Sequence, residues 1–158
     1  MHSRIIELGN APILPDDRMG ECSVPEWFYH SIADYTNAET DRDEDLKWFL
    51  EIVAHIVDVA EDGESFTFKP NAKKKYFHRQ YYAFLEKARE LTGISIEAFC
   101  AETPYDIGMA MYKLNEAYQD KFSFYIYYQD KLKTLDEWIR ETDLSESFYF
   151  GGTLDYHF

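Results

Sequence analysis

Strand-forming runs at 4–8, 65–69, 121–128 and 147–158, separated by helical stretches, predict an α+β fold. The expected architecture is a small, mainly antiparallel sheet packed on one face by helices, with a central, largely buried helix at about 41–62. A second observation is the apolar fraction of 46%, with aromatics at 18%, which is ample for one core in which each buried ring removes about 150–250 Å² from water. A third is the length of 158 residues, near the commonest domain size, so that 1–158 is read as a single domain.

Residues 4–8 (Arg4, Ile5, Ile6, Glu7, Leu8) read as a strand ended by Gly9 and Asn10, and Pro12, Pro15, Asp16 and Asp17 mark the loop that follows. Ser23 with Glu26 three positions on forms a capping-box pattern, and Pro25 suits a first turn, predicting a helix from about Val24 to Tyr35. The next helix has Thr40 as its cap and Asp41, Asp43, Glu44 and Asp45 against its positive N-terminus. Between Leu46 and Ala60 only Lys47, Glu51, His55 and Asp58 are polar, and their spacing follows one line of a 3.6-residue period that Glu44 and Asp62 extend. That stripe is read as the wet edge of an otherwise covered helix, which Gly63 stops.

Ser65 to Lys69 alternates as a strand before Pro70. From about Ala72 to Leu91, apolar residues recur on one face at Phe77, Tyr81, Phe84, Leu85, Ala88 and Leu91, with Gly93 as the expected end. Ser95 starts a short helix, and a further helix is read over Ile107 to Tyr118, weakened by Gly108. Lys121 to Tyr128 alternates with Phe122, Phe124, Ile126 and Tyr128 on one face. Thr134 begins a helix through Leu135, Trp138 and Ile139, and the chain closes with a hairpin turning at Gly151 and Gly152.

Charge is segregated along the chain. Residues 1–64 hold 16 acidic and 4 basic side chains, a net −12 of the total −14, whereas 65–158 hold 14 and 12. Such asymmetry favours a cationic partner over a polyanionic one. Cys22 and Cys100 belong to no paired-cysteine or Cys/His pattern, so neither a disulfide framework nor a zinc site is indicated. The N-terminal residues lack the apolar stretch of a secretory signal, and no run of apolar residues is long enough for a membrane span, which places the expected protein in solution in the cytoplasm.

No constellation rises to a catalytic signature. Asp41, Asp43 and Asp45 alternate like the opening of a calcium-binding loop, but Leu46 stands where that loop needs glycine and Ile52 where it needs glutamate, so helix-start electrostatics is the better account. His55, between Glu51 and Asp58, could titrate in acid/base work but has no partner at a telling spacing. His78 sits in the chain's basic cluster with Lys73, Lys74, Lys75 and Arg79, read as counter-charge for the acidic segment. A helix-turn-helix rhythm over 85–118 fails as a nucleic-acid reader, because Lys113 is the only base of its candidate reading helix. Nucleotide-binding glycine loops, zinc-protease and nucleophile-elbow motifs are absent.

The function expected on these grounds is a non-enzymatic protein-binding module that meets a basic protein surface through Glu39, Asp41, Asp43, Glu44, Asp45, Glu51, Asp58, Glu61 and Asp62. A narrower version is a mimic of nucleic acid that inhibits a DNA-binding or defence protein. The alternative is a small enzyme or ligand-binding domain with a Tyr/His-lined cleft holding His55 or His78. No catalytic residues, cofactor, metal, membrane or direct nucleic-acid contact are expected, and exposed aromatics leave a homo-oligomer open.

Overall fold

The computed structural model describes residues 1–101 and 105–158. The chain divides into two compact units, Met1–Lys75 with Lys121–Phe158 and Tyr76–Asp120, where the sequence reading expects a single domain.

The first unit carries a seven-stranded sheet. In chain order its elements are β1 (His2–Gly9), α1 (Glu26–Ser31), β2 (Tyr35–Asn37), α2 (Arg42–Val53), β3 (Val57–Val59), β4 (Ser65–Phe68), the start of α3 (Ala72–Thr92), then, past the second unit, β5 (Tyr125–Tyr128), β6 (Lys131–Thr134), α6 (Leu135–Glu141) and β7 (Ser147–His157). The strands lie in the order β3-β4-β7-β1-β5-β6, with β2 also on β7. Only β1 and β5 run parallel; the other pairings are antiparallel. The architecture is α+β, as the sequence predicts.

Alternation along the strands sorts the core into two faces. Ile5, Tyr125, Leu154 and Tyr156 pack with Phe28 of α1 and with Met19, Val24 and Ala33 of the flanking loops. On the opposite face Phe49 of α2 meets Phe66 and Phe150, and Trp138 of α6 meets Phe68, Tyr128 and Phe148. These ring pairs are mostly edge-on or tilted, the arrangement their quadrupoles favour.

Several elements depart from their expected bounds. The helix expected over 41–62 as central and largely buried ends at Val53, six of its 12 residues are exposed, and Val57–Val59 is a strand. Ile56, Val57 and Val59 are β-branched, and pairing of Val57 with Phe68 and Val59 with Phe66 outweighs the helical period. Asp41, rather than Thr40, caps α2, accepting the N–H groups of Asp43 and Glu44 at 3.1 and 3.2 Å, while the Thr40 hydroxyl meets Thr153 at 2.8 Å. The helix expected over 24–35 shrinks to Glu26–Ser31 without a side-chain cap, and β2 takes its end. The strand expected over 121–128 is confined to Tyr125–Tyr128. It turns into β6 through Gln129 and Asp130, both left-handed at φ 50° and 59°, a two-residue turn matched to the twist of a hairpin but written without its usual Asn-Gly.

The largest correction concerns the C-terminus: β7 is one continuous strand, and Gly151-Gly152 lies inside it instead of turning it. The register between β1 and β7 slips between Ile6 (opposite Thr153) and Leu8 (opposite Phe150), so both glycines face Glu7 across a bulge. Glu7 is buried, and its Oε2 accepts the N–H of Gly152 at 2.7 Å and of Met19 at 2.9 Å. A Cβ at Gly151 would lie 2.2 Å from that oxygen, so glycine here makes room for a carboxylate. The extra residue also resets the side-chain parity, placing Phe150 with Asp155 on one face and Leu154 with Tyr156 on the other.

The second unit is helical, holding α3 from Tyr76 onward, α4 (Ile96–Phe99) and α5 (Tyr105–Tyr118). Ser95 caps α4 by accepting the N–H of Ala98 at 3.1 Å. Gln80 donates to the Tyr118 carbonyl at 2.6 Å, and Leu91 and Ile107 line a common pocket at the other end, so α3 and α5 run antiparallel. As expected, Phe77, Phe84, Leu85, Ala88 and Leu91 form the half-buried face of α3, although Tyr81 is exposed. Among the described residues no helix is long and apolar enough to cross a membrane.

Candidate functional site

Most acidic side chains of the first 64 residues end at helix starts and turns, where backbone N–H groups and water meet them. Eight of the nine expected site residues, Glu39, Asp41, Asp43, Glu44, Glu51, Asp58, Glu61 and Asp62, are exposed. The ninth, Asp45, is a correction: it is only 4% exposed and cannot belong to a docking surface. Its Oδ1 takes the Nε–H of Arg4, while Arg4 Nη1 engages Asp155 and the guanidinium lies 5.5 Å from the centre of the Trp48 ring. The helical period places Asp45 one step away from the wet stripe, on the line of Phe49, which faces the sheet.

The exposed carboxylates converge where α2 faces the turn between β3 and β4. Gly63, left-handed at φ 73°, shapes that turn, and the Arg42 guanidinium ties it to the helix by meeting Glu64 at 2.7 Å. Arg42 also donates through Nε to the Gly151 carbonyl at 2.8 Å and approaches Asp43 at 3.7 Å. Between helix and turn runs an open groove of about 440 Å³ with an apolar floor of Leu46, Leu50 and Ala54 and with Asp43, Glu51 and Glu64 on its walls. Counting the neighbouring Asp41, Glu44, Glu61 and Asp62, seven exposed carboxylates stand here against Arg42 and Lys47. Arg42 is already held by Glu64 and by main-chain carbonyls.

The remaining expected residues lie apart from this groove. Asp58 is on the edge strand β3, 3.7 Å from Lys69, and Glu39 follows β2 in a loop. His55 is exposed in the turn after α2, and His78 is exposed on α3 in the second unit, its ring against Tyr82. None of the five histidines is buried, and neither His55 nor His78 lines the groove. Asp41, Asp43 and Asp45 serve as helix cap, groove wall and partner of Arg4 respectively. Among the described residues no group of three His, Cys, Asp or Glu is placed to hold a metal ion.

Glu64, Arg42 and the apolar floor are not among the site residues expected from the sequence. With the helix ended at Val53, the turn at Gly63 folds back and brings Glu64 beside Arg42, whereas a helix continued to 62 points that segment away. Compared with protein-family models, with curated proteins and with solved structures, the chain matches none.

Proposed function

We propose that the protein is a binding module for a basic protein segment, and that the groove between α2 and the β3–β4 turn is its docking site. The observation that carries the reading is the combination there of an apolar floor, Leu46, Leu50 and Ala54, with Asp43, Glu51 and Glu64 around it. Long-range attraction from the net −12 segment would speed encounter with a cation, and the floor would take up the aliphatic stems or apolar neighbours of its lysines and arginines. Mimicry of nucleic acid is a less favoured version. Asp43 and Glu51 are about 12 Å apart along the helix axis, whereas duplex DNA carries a charge every ~1.7 Å, and Arg42 and Lys47 interrupt the row.

The test is binding of a fluorescent peptide of alternating lysines, arginines and leucines, measured by anisotropy. Affinity is expected to fall as salt rises from roughly 50 to 200 mM, and to be lost in the Asp43→Lys, Glu51→Lys double variant with the far-ultraviolet spectrum unchanged. Absence of binding, or binding indifferent to both salt and charge reversal, overturns the reading.

A further inference from the structure

We infer that His2 and His157 form a binding site for a divalent transition-metal ion of the zinc and copper class, with Asp155 and Asp34 as its outer carboxylates. The two histidines stand opposite each other in the β1–β7 pairing, and Tyr35 of β2 stands opposite His157 on its other side. Residues directly opposite on paired strands share a face of the sheet, so strand register alone sets the three rings in one row. Ring centroids are 4.9 Å apart for His2 and His157 and 5.3 Å apart for His157 and Tyr35, which stack with their planes 5° from parallel. Both imidazoles keep access to water, at 52% and 34% side-chain exposure.

Hydrogen bonding decides which ring nitrogen is left for a ligand. His2 Nδ1 lies 2.8 Å from Asp155 Oδ2, and His157 Nδ1 lies 3.0 Å from Asp34 Oδ2. An ionised carboxylate only accepts, so each Nδ1 carries the proton and each neutral ring keeps its lone pair on Nε2. His157 Nε2 then accepts from the main-chain nitrogen of Met1 at 3.3 Å, while His2 Nε2 has no hydrogen-bond partner among the described residues. Arg4 in turn engages Asp155 and holds it in place. Metal-ligating histidines show this same pattern, in which the second ring nitrogen donates to a carboxylate that fixes the tautomer and raises the basicity of the first.

Spacing and ligand chemistry agree with that reading. A tetrahedral ion with metal–nitrogen bonds of about 2.0–2.1 Å sets the centroids of two bound imidazoles about 5 Å apart, close to the separation that β1 and β7 already impose. Imidazole suits zinc, copper and nickel, whereas calcium and magnesium take oxygen ligands. Two side chains rather than three supply the protein's share, and water fills the remaining positions. Because the pair exists only where β1 and β7 are joined, the ion binds the folded chain and stabilises it by mass action.

The experiment is calorimetric titration with Zn²⁺ of the full chain extended by a few residues before Met1, so that no α-amino group stands beside His157. One site is expected, lost in His157→Gln, weakened about 10-fold or more in Asp34→Ala, and unchanged in His55→Gln and in Asp43→Lys with Glu51→Lys. Mg²⁺ at the same concentration should give no binding heat. Ring-nitrogen NMR of the unsubstituted chain, which does not depend on how the variants fold, should show Zn²⁺ shifting Nε2 of both His2 and His157. No Zn²⁺ binding, binding that survives in folded His157→Gln, or shifts confined to other histidines overturns the inference, and an Asp34→Ala chain that binds as tightly as its parent overturns the part given to Asp34. Failure here leaves the groove reading standing, since that reading is tested with a peptide and other residues.

Discussion

Replacing Gly151 by alanine isolates the contact on which the centre of the sheet depends. The new Cβ would sit 2.2 Å from Glu7 Oε2, 2.5 Å from Cδ and 2.6 Å from Cγ, so the buried carboxylate must leave its place. Two backbone donors, Met19 N and Gly152 N, then lose their shared acceptor. Each stranded donor costs about 1–3 kcal/mol, so the expected loss is about 2–6 kcal/mol, a large part of the roughly 5–15 kcal/mol that holds a domain together. Urea unfolding followed by tryptophan fluorescence measures it, and Trp27, Trp48 and Trp138 all belong to the sheet unit. Alanine at Gly152 meets its nearest atoms only at 3.3 Å and is expected to cost less. The decisive comparison is Gly151→Ala in a Glu7→Ala background, where the Oε2, Cδ and Cγ atoms that the new Cβ would meet have gone. There the same substitution should cost almost nothing, giving a coupling well above about 0.5 kcal/mol. Additive effects, or a single-variant loss below that value, refute the reasoning.

Arg4→Ala should destabilise more than Asp45→Asn in the same urea assay, by roughly 3–5 kcal/mol for the arginine variant, because it strands Asp45, whose Oδ2 already has no partner, whereas asparagine removes the buried charge. Gly63→Ala, at φ 73°, should cost about 1–2 kcal/mol through the turn alone and also weaken peptide binding in the groove. Tyr127 should ionise above the ordinary tyrosine range, first because it is partly buried and second because its hydroxyl donates to Asp130 at 3.2 Å. Asp130→Asn should lower that value only in part, as read from ultraviolet difference spectra against Tyr127→Phe. The unfolded chain then gives up this proton before the native one does, so the tyrosine's contribution is fully present below about pH 10 and is lost as pH rises through the native value. A Tyr127→Phe chain should lack that part of the alkaline decline.

Strands and helices that local chemistry specifies were legible in the sequence. α3 announces itself through Phe77, Phe84, Ala88 and Leu91 on one face, and α6 through Thr134 and Glu137, which form the reciprocal cap seen in the structure. What was not legible depends on partners distant in sequence. Ile56 to Val59 fits a helix as well as a strand until Phe66 and Phe68 pair with it. Gly151-Gly152 is a turn signal until Glu7, 144 positions away from Gly151, claims the space beside it. The same limit applied to the site: exposure of the acidic residues followed from their positions at helix starts and turns, but Asp45 could be assigned to the interior only once Arg4 of β1 lay over α2.

Attraction between charges in water draws the partner to the groove, and added salt shortens the reach of that attraction to about 8 Å at physiological strength. Removal of apolar surface from water, which the floor of Leu46, Leu50 and Ala54 offers, is strengthened by sulfate or phosphate. Sulfate should therefore release a lysine-rich peptide held by Asp43, Glu51 and Glu64. A peptide that sulfate holds more tightly would mean that the apolar floor, and not charge, carries the binding.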